Sequence, residues 1–123
     1  MLVVDAANVI GSRPTGWWRD RPGAAAGFVA RLVEAVAAGT VDPPVVVVLE
    51  GAARRGAAAG AAGPGVDVVH AAGSGDDAIV AVVETAAGAA VTVVTADRGL
   101  RERVTRLGAA VAGPGGLWDR LDP

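Results

Sequence analysis

Leu2-Val3-Val4-Asp5-Ala6-Ala7-Asn8 opens the chain, and Val91-Thr92-Val93-Val94-Thr95-Ala96-Asp97-Arg98 lies near its far end. Both are short aliphatic runs that stop at an aspartate. Apolar runs of this length, without polar alternation, suit strands buried on both faces of a sheet. Val45 to Leu49, announced by Pro43-Pro44 and closed by Glu50-Gly51, reads the same way, and Val66 to His70 is another short strand. Helical spacing fills the intervals. Phe28, Val29, Leu32, Val33 and Val36 place an amphipathic helix over 23–38, with Pro22 in its first turn and Gly39 at its end. Ser74 is an N-cap for a helix over 75–87, with Asp77 as an acidic capping-box partner. Leu100, Val104 and Leu107 mark a helix over 97–107, and Ala109 to Ala112 is a short last strand.

The alternation of strand and helix implies an α/β fold of three layers, α/β/α, around a central, mostly parallel five-stranded sheet. Right-handed crossovers place the first strand near the centre and the strand over 91–95 beside it. Residues 11–23 read as a loop, and 113–116 as a loop before a tail anchored by Leu117-Trp118. Residues 51–65, rich in Ala and Gly around Arg54-Arg55, fit a weak helix or a loop equally. Gly60 to Gly65 does not match the dinucleotide-binding glycine pattern. With no repeat or linker, residues 1–123 read as a single domain.

The chain is 52% hydrophobic but only 3% aromatic, so its core packs through Val, Ala and Leu. Every basic residue is Arg, and the net charge of −2 argues against a strongly basic nucleic-acid binder. Without Cys there is neither a disulfide nor a thiolate metal site. The first strand begins at once with no basic leader, and the run Val45 to Leu49 is far too short to span a bilayer. A cytoplasmic protein with no membrane association is the expectation.

In an open α/β sheet the carboxyl ends of the strands line one edge, and ligands bind there. Asp5, Asp77 and Asp97 each end a strand or open the next helix. Carboxylates converging there repel one another unless a cation lies between them, and oxygen-only ligands suit Mg²⁺ or Mn²⁺. Each also has a plainer reading: Asp76 and Asp77 favour a helix N-terminus, and Asp97 fits an N-cap. Asp5 is harder to explain that way, because an unpaired charge near a buried strand end is costly.

Taken in order, Val3-Val4-Asp5-Ala6-Ala7-Asn8-Val9-Ile10, Asp77-Ala78-Ile79-Val80 and Val93-Val94-Thr95-Ala96-Asp97-Arg98 resemble the PIN-like nuclease superfamily, most closely its NYN branch. The resemblance spans nearly the whole chain. It implies a Mg²⁺- or Mn²⁺-dependent ribonuclease that hydrolyses RNA by direct attack of water, leaving a 5′-phosphate and a 3′-hydroxyl. It further implies that Asp5, Asp77 and Asp97 are metal ligands, that Asn8 orients Asp5 or the substrate phosphate, and that Thr95 is the family's hydroxyl. Asp76 is a further ligand or a general base. Glu50 stands where many relatives have aspartate, a departure that leaves its part as a ligand open.

Trp17, Trp18, Arg19 and Arg21 form a nucleic-acid contact set, since indoles stack on bases and guanidinium groups meet phosphates. Arg98 suits a phosphate or simply neutralises the acids. Arg54-Arg55 reads as a solvated loop, and His70 as a strand-end histidine. Two other functions stay open: a catalytically silent RNA-binding or interaction domain, and a toxin-type ribonuclease held by an antitoxin partner. A protein partner or homodimer is compatible with either. A haloacid-dehalogenase-type phosphatase needs an acid two residues after Asp5, where Ala7 stands.

Overall fold

The computed structural model describes residues 1–86 and 88–122. The chain runs β1 (Leu2–Asp5), α1 (Ala6–Gly11), a 3₁₀ turn (Trp17–Arg19), α2 (Arg21–Ala38), β2 (Val45–Leu49) and a second 3₁₀ turn (Gly51–Gly56). It continues with β3 (Gly60–Gly63), β4 (Val66–His70), α3 (Gly75–Thr85), β5 (Thr92–Val94), α4 (Arg98–Arg106), β6 (Ala110–Ala112) and α5 (Pro114–Leu121).

The strands form one six-stranded sheet in the order β3-β4-β2-β1-β5-β6. All neighbours pair in parallel except β3, which runs antiparallel to β4 at one edge. The sheet is thus mostly parallel and flanked by helices on both faces, as expected, but with six strands, not five. The extra one, β3, has the sequence Gly-Ala-Ala-Gly. Without β-branched residues it gives no strand signal; pairing with β4 alone makes it a strand.

Alternation of side chains divides the core into two layers. Val4, Val45, Val47, Leu49 and Val94 face α2 and α5, meeting Phe28, Leu32 and Trp118. Val3, Val46, Val48 and Val93 face α3 and α4, meeting Ile79, Val83, Leu100 and Val104. The chain moves one way from β1 to β2 and β4, then returns to the other side of β1 to build β5 and β6. Right-handed crossovers in opposite directions put α2 and α4 on opposite faces. The order reverses between β1 and β5, the switch point beyond whose carboxyl ends open α/β sheets form their ligand crevice.

Several boundaries differ from the sequence reading. A short helix, α1, follows β1 directly because the Asp5 carboxylate caps it, accepting from the Asn8 N–H at 3.3 Å. Asp20 caps α2, accepting from the Gly23 N–H at 2.9 Å, so the helix begins at Arg21, ahead of the expected start. The expected loop over 113–116 becomes the first turn of α5, with Trp118 buried and its Nε1 donating to the Val9 carbonyl at 3.1 Å. Ser74 caps α3, accepting from the Asp77 N–H, but no reciprocal bond from the Asp77 carboxylate to Ser74 forms among the described residues. The expected end of that helix at 87 lies outside the described residues. No helix among the described residues is long and apolar enough to cross a membrane.

Candidate active site

Asp5 ends β1 at the switch point and is only 6% exposed. Two hydrogen bonds hold its carboxylate: the Thr95 hydroxyl donates to Oδ2 at 2.9 Å, and the Asn8 N–H donates to Oδ1 at 3.3 Å. Thr95 is itself fully buried just beyond β5, and its oxygen accepts from the Asp97 N–H at 3.1 Å. The Asn8 side chain bridges the same two segments, its Oδ1 accepting from the Ala96 N–H at 2.8 Å. Behind them, Arg101 donates from Nε to the Thr95 carbonyl at 2.8 Å. The ends of β1 and β5 are therefore locked together by the Asp5 and Asn8 side chains on one strand end and the Thr95 hydroxyl and Ala96 N–H on the other.

Burial pushes the Asp5 carboxyl above its ordinary range. The bonds from Thr95 and Asn8 pull against that, while the charges of Asp76 and Glu50 add to it. Asp76, on the first turn of α3, is also pushed up, by partial burial and then by Asp97 and Glu50, with Arg103 opposing. Asp5 thus feels the charges of Asp76 and Glu50, and Asp76 those of Asp97 and Glu50. Glu50 reaches across from the end of β2, its Oε2 accepting from the Gly75 N–H at 3.0 Å. A Cβ at Gly75 would lie 3.0 Å from Glu50 Oε1, so glycine at this helix start lets Glu50 fit against the backbone. Asp97 spends Oδ1 on capping α4 through the Leu100 N–H at 2.9 Å.

Asp77 departs from its expected place. Its carboxylate is exposed and pairs with Arg103 of α4 at 2.9 Å. Asp76 occupies the inward position at the same helix start. Neighbouring residues on a helix point about 100° apart, so only one of the pair can face the crevice. Among the described residues, no group of three or more Asp, Glu, His or Cys side chains forms a ready-made cation cage. Mg²⁺ needs less than that: it keeps several waters and commonly takes one or two carboxylates together with substrate phosphate. An all-oxygen set of mutually repelling acids, with Asp5 rigidly presented, fits such an ion.

Basic and aromatic residues flank the acids. Trp17 and Trp18 meet edge to face at 6.0 Å, with Arg21 over Trp17 and Arg19 over Trp18. Neither ring is a core residue; the buried indole is Trp118. Arg98 is exposed at the first position of α4. His70 bonds the Ala57 carbonyl through Nε2 at 2.7 Å, in keeping with a structural role. Sequence reading gave no part to Arg55 or to Arg101. The available signal for the first was a guanidinium pair two alanines beyond Glu50-Gly51, in the turn that follows the end of β2, since a strand's carboxyl end lies on the ligand-binding edge.

No protein-family model matches the chain, and neither does any curated protein. Among solved structures, the chain resembles the crystal structure of Rae1 (YacP) from Bacillus subtilis (W164L mutant). The TM-score is 0.74 at 17% identity, over 98% of this chain and 74% of that one. At that identity the likeness establishes the shared α/β/α fold.

Proposed function

We propose that the chain is a Mg²⁺- or Mn²⁺-dependent ribonuclease of the PIN-like, NYN type. The observation that carries this reading is the buried Asp5 carboxylate, held by Thr95 and Asn8 at the switch point and surrounded by the charges of Glu50 and Asp76. Burying a charge beside like charges is costly, and among the described residues no cationic side chain is paired with Asp5. Such an arrangement persists where chemistry uses it.

Asp5 and Asp97 are assigned as the principal metal-holding carboxylates, with Glu50 offering its remaining oxygen. A bound divalent ion would polarise the scissile phosphate and acidify a coordinated water. The chain's own groups do the rest. Thr95 and the Asn8 N–H each hold one oxygen of Asp5 and so fix the plane of its carboxylate. Asn8 ties the β1 end to the Ala96 backbone, so the two acidic segments keep their spacing. Asp76, with proton affinity raised by partial burial and then by its acidic neighbours, is the group suited to take a proton from the attacking water. Arg19, Arg21 and Arg98 are assigned to the substrate's phosphates.

Cleavage of single-stranded RNA by the pure protein with Mg²⁺ or Mn²⁺, abolished by EDTA and by Asp5→Asn, is the expected result. Equal rates for wild type and Asp5→Asn would place the activity elsewhere. A second reading, a silent RNA-binding domain, is favoured by the lack of three converging ligands among the described residues. It takes over if wild type binds RNA but cleaves none with any divalent ion.

A further inference from the structure

Two segments separated by more than thirty positions in sequence meet on the rim beside the acidic centre. The 3₁₀ turn over Trp17–Arg19 and the one over Gly51–Gly56 share a groove lined by Trp18, Arg19, Arg21 and Arg55 and floored by Ala52. The same Arg55 and Ala52 also line a second open groove, which continues past Arg54 to His70. Together they make one shallow path. Its approach is fixed by backbone: a Cβ at Gly56 would lie 2.2 Å from the Pro22 carbonyl oxygen, so only glycine lets the second turn pack this tightly onto the start of α2.

The path has the character of a nucleic-acid surface. Trp18 is 53% exposed, a large apolar area that folding does not use. Arg19 lies 5.7 Å from its ring centroid and steadies it. Arg54 is tied down, donating to the Gly51 and Ala71 carbonyls at 3.1 and 3.2 Å, and so fixes the turn that presents Arg55. Among the described residues Asp20 is the one acid lining this groove, and its carboxylate is engaged in capping α2. Glu50 immediately precedes the Gly51–Gly56 turn, so the path begins at the acidic centre.

We propose that this joined groove is the track for a single strand of nucleic acid, with a base stacked on Trp18 and the adjoining phosphates on Arg55 and Arg19. Single strands suit it because stacking needs an exposed base face, and cationic grooves with aromatic platforms bind them without reading sequence. In a duplex those faces are covered. The identity of the strand as RNA rests on the function proposed above; the track itself does not need catalysis.

The test is binding of a short fluorescein-labelled oligouridine in EDTA, read by anisotropy, with cleavage assayed separately. Trp18→Ala and Arg55→Ala should each weaken binding roughly tenfold, and Trp18→Phe should retain most of the affinity. Arg55→Ala should also lower the salt slope by about one, whereas Trp18→Ala should leave it unchanged. Arg106→Ala, in the last turn of α4, is the control and should bind as wild type does. The track is overturned if wild type does not bind in EDTA, if Trp18→Ala and Arg55→Ala bind as tightly as wild type, or if duplex RNA competes as well as the single strand. Binding that follows the expected pattern without cleavage would keep the track and remove the ribonuclease. Cleavage whose KM is untouched by Trp18→Ala and Arg55→Ala would do the reverse.

Discussion

The carboxyl edge of the sheet carries two regions built on opposite principles. At the acidic centre hydrogen bonds hold the side chains: Thr95 holds Asp5 and is itself bonded by the Asp97 N–H, Asn8 bridges to Ala96, and Glu50 grips the Gly75 N–H. On the rim, Trp18, Arg19 and Arg55 are exposed, and what fixes them is the backbone beneath them. The centre accepts the cost of a buried, crowded carboxylate in exchange for fixed geometry. The rim gives up fixed geometry for reach. Chemistry on a phosphodiester needs the first, because misplacement of a reacting group by about 1 Å can cost a factor of 10². Holding a flexible strand needs only the second.

The largest effect expected from breaking this contrast lies at the start of α3, where centre and surface are one residue apart. Asp76→Asn should lower kcat by about 10²–10⁴, the range for losing a general base. Asp77→Asn, which removes only an exposed pair with Arg103, should stay within a few-fold of wild type. Single-turnover cleavage at saturating RNA separates them. The reverse ranking would mean that Asp77, not Asp76, works in the crevice.

A smaller effect, now on stability, comes from Thr95→Val. The substitution keeps the shape but removes the donor to Asp5 and the acceptor for the Asp97 N–H. A cost of about 1–3 kcal/mol in urea unfolding is expected, since buried polar partners are left unpaired. Thr95→Ser should recover most of it. RNA affinity in EDTA should not change, because no rim residue touches Thr95; a large loss of affinity would show that the two regions are not independent.

The same division governs what could be read in the sequence. The centre was largely legible because β-branched runs ending in Asp announce both strand and edge, as at Val4-Asp5 and Val94-Thr95-Ala96-Asp97. The choice between Asp76 and Asp77 was not, because it depends on how Ser74 caps the helix and on where Glu50 meets Gly75, the latter a contact that spans 25 positions. The strand Gly60–Gly63 was hidden for want of β-branched residues, and the helix Ala6–Gly11 because its cap is also the strand's last residue. Arg54-Arg55 looked like a solvated loop because nothing local says that Gly56 will pack onto Pro22. Local pattern reports what an element is; it does not report which distant element it will meet.

The subtlest test concerns protons. Asp5 and Asp76 both have native carboxyls pushed above the ordinary value of 3.8 by burial, with like charge adding to it. Between that value and the raised native one, the folded protein holds more protons than the unfolded chain. The difference in bound protons, unfolded minus native, is then negative, so these groups make stability fall as pH rises through the window. Below the window both states are protonated and the effect vanishes. Melts in EDTA across this range should therefore show Asp76→Asn more stable than wild type on the alkaline side, with the two converging in acid. The variant lacks one crowded charge and relieves Asp5 of another. Mn²⁺ should narrow the alkaline gap by stabilising wild type more than the variant, because a cation offsets the repulsion that the substitution has already removed. Arg55→Ala, on the rim, should track the wild-type pH slope throughout. Identical slopes for wild type and Asp76→Asn would mean that the carboxylates of the centre do not share a field, and the contrast between crowded centre and open rim would lose its electrostatic half.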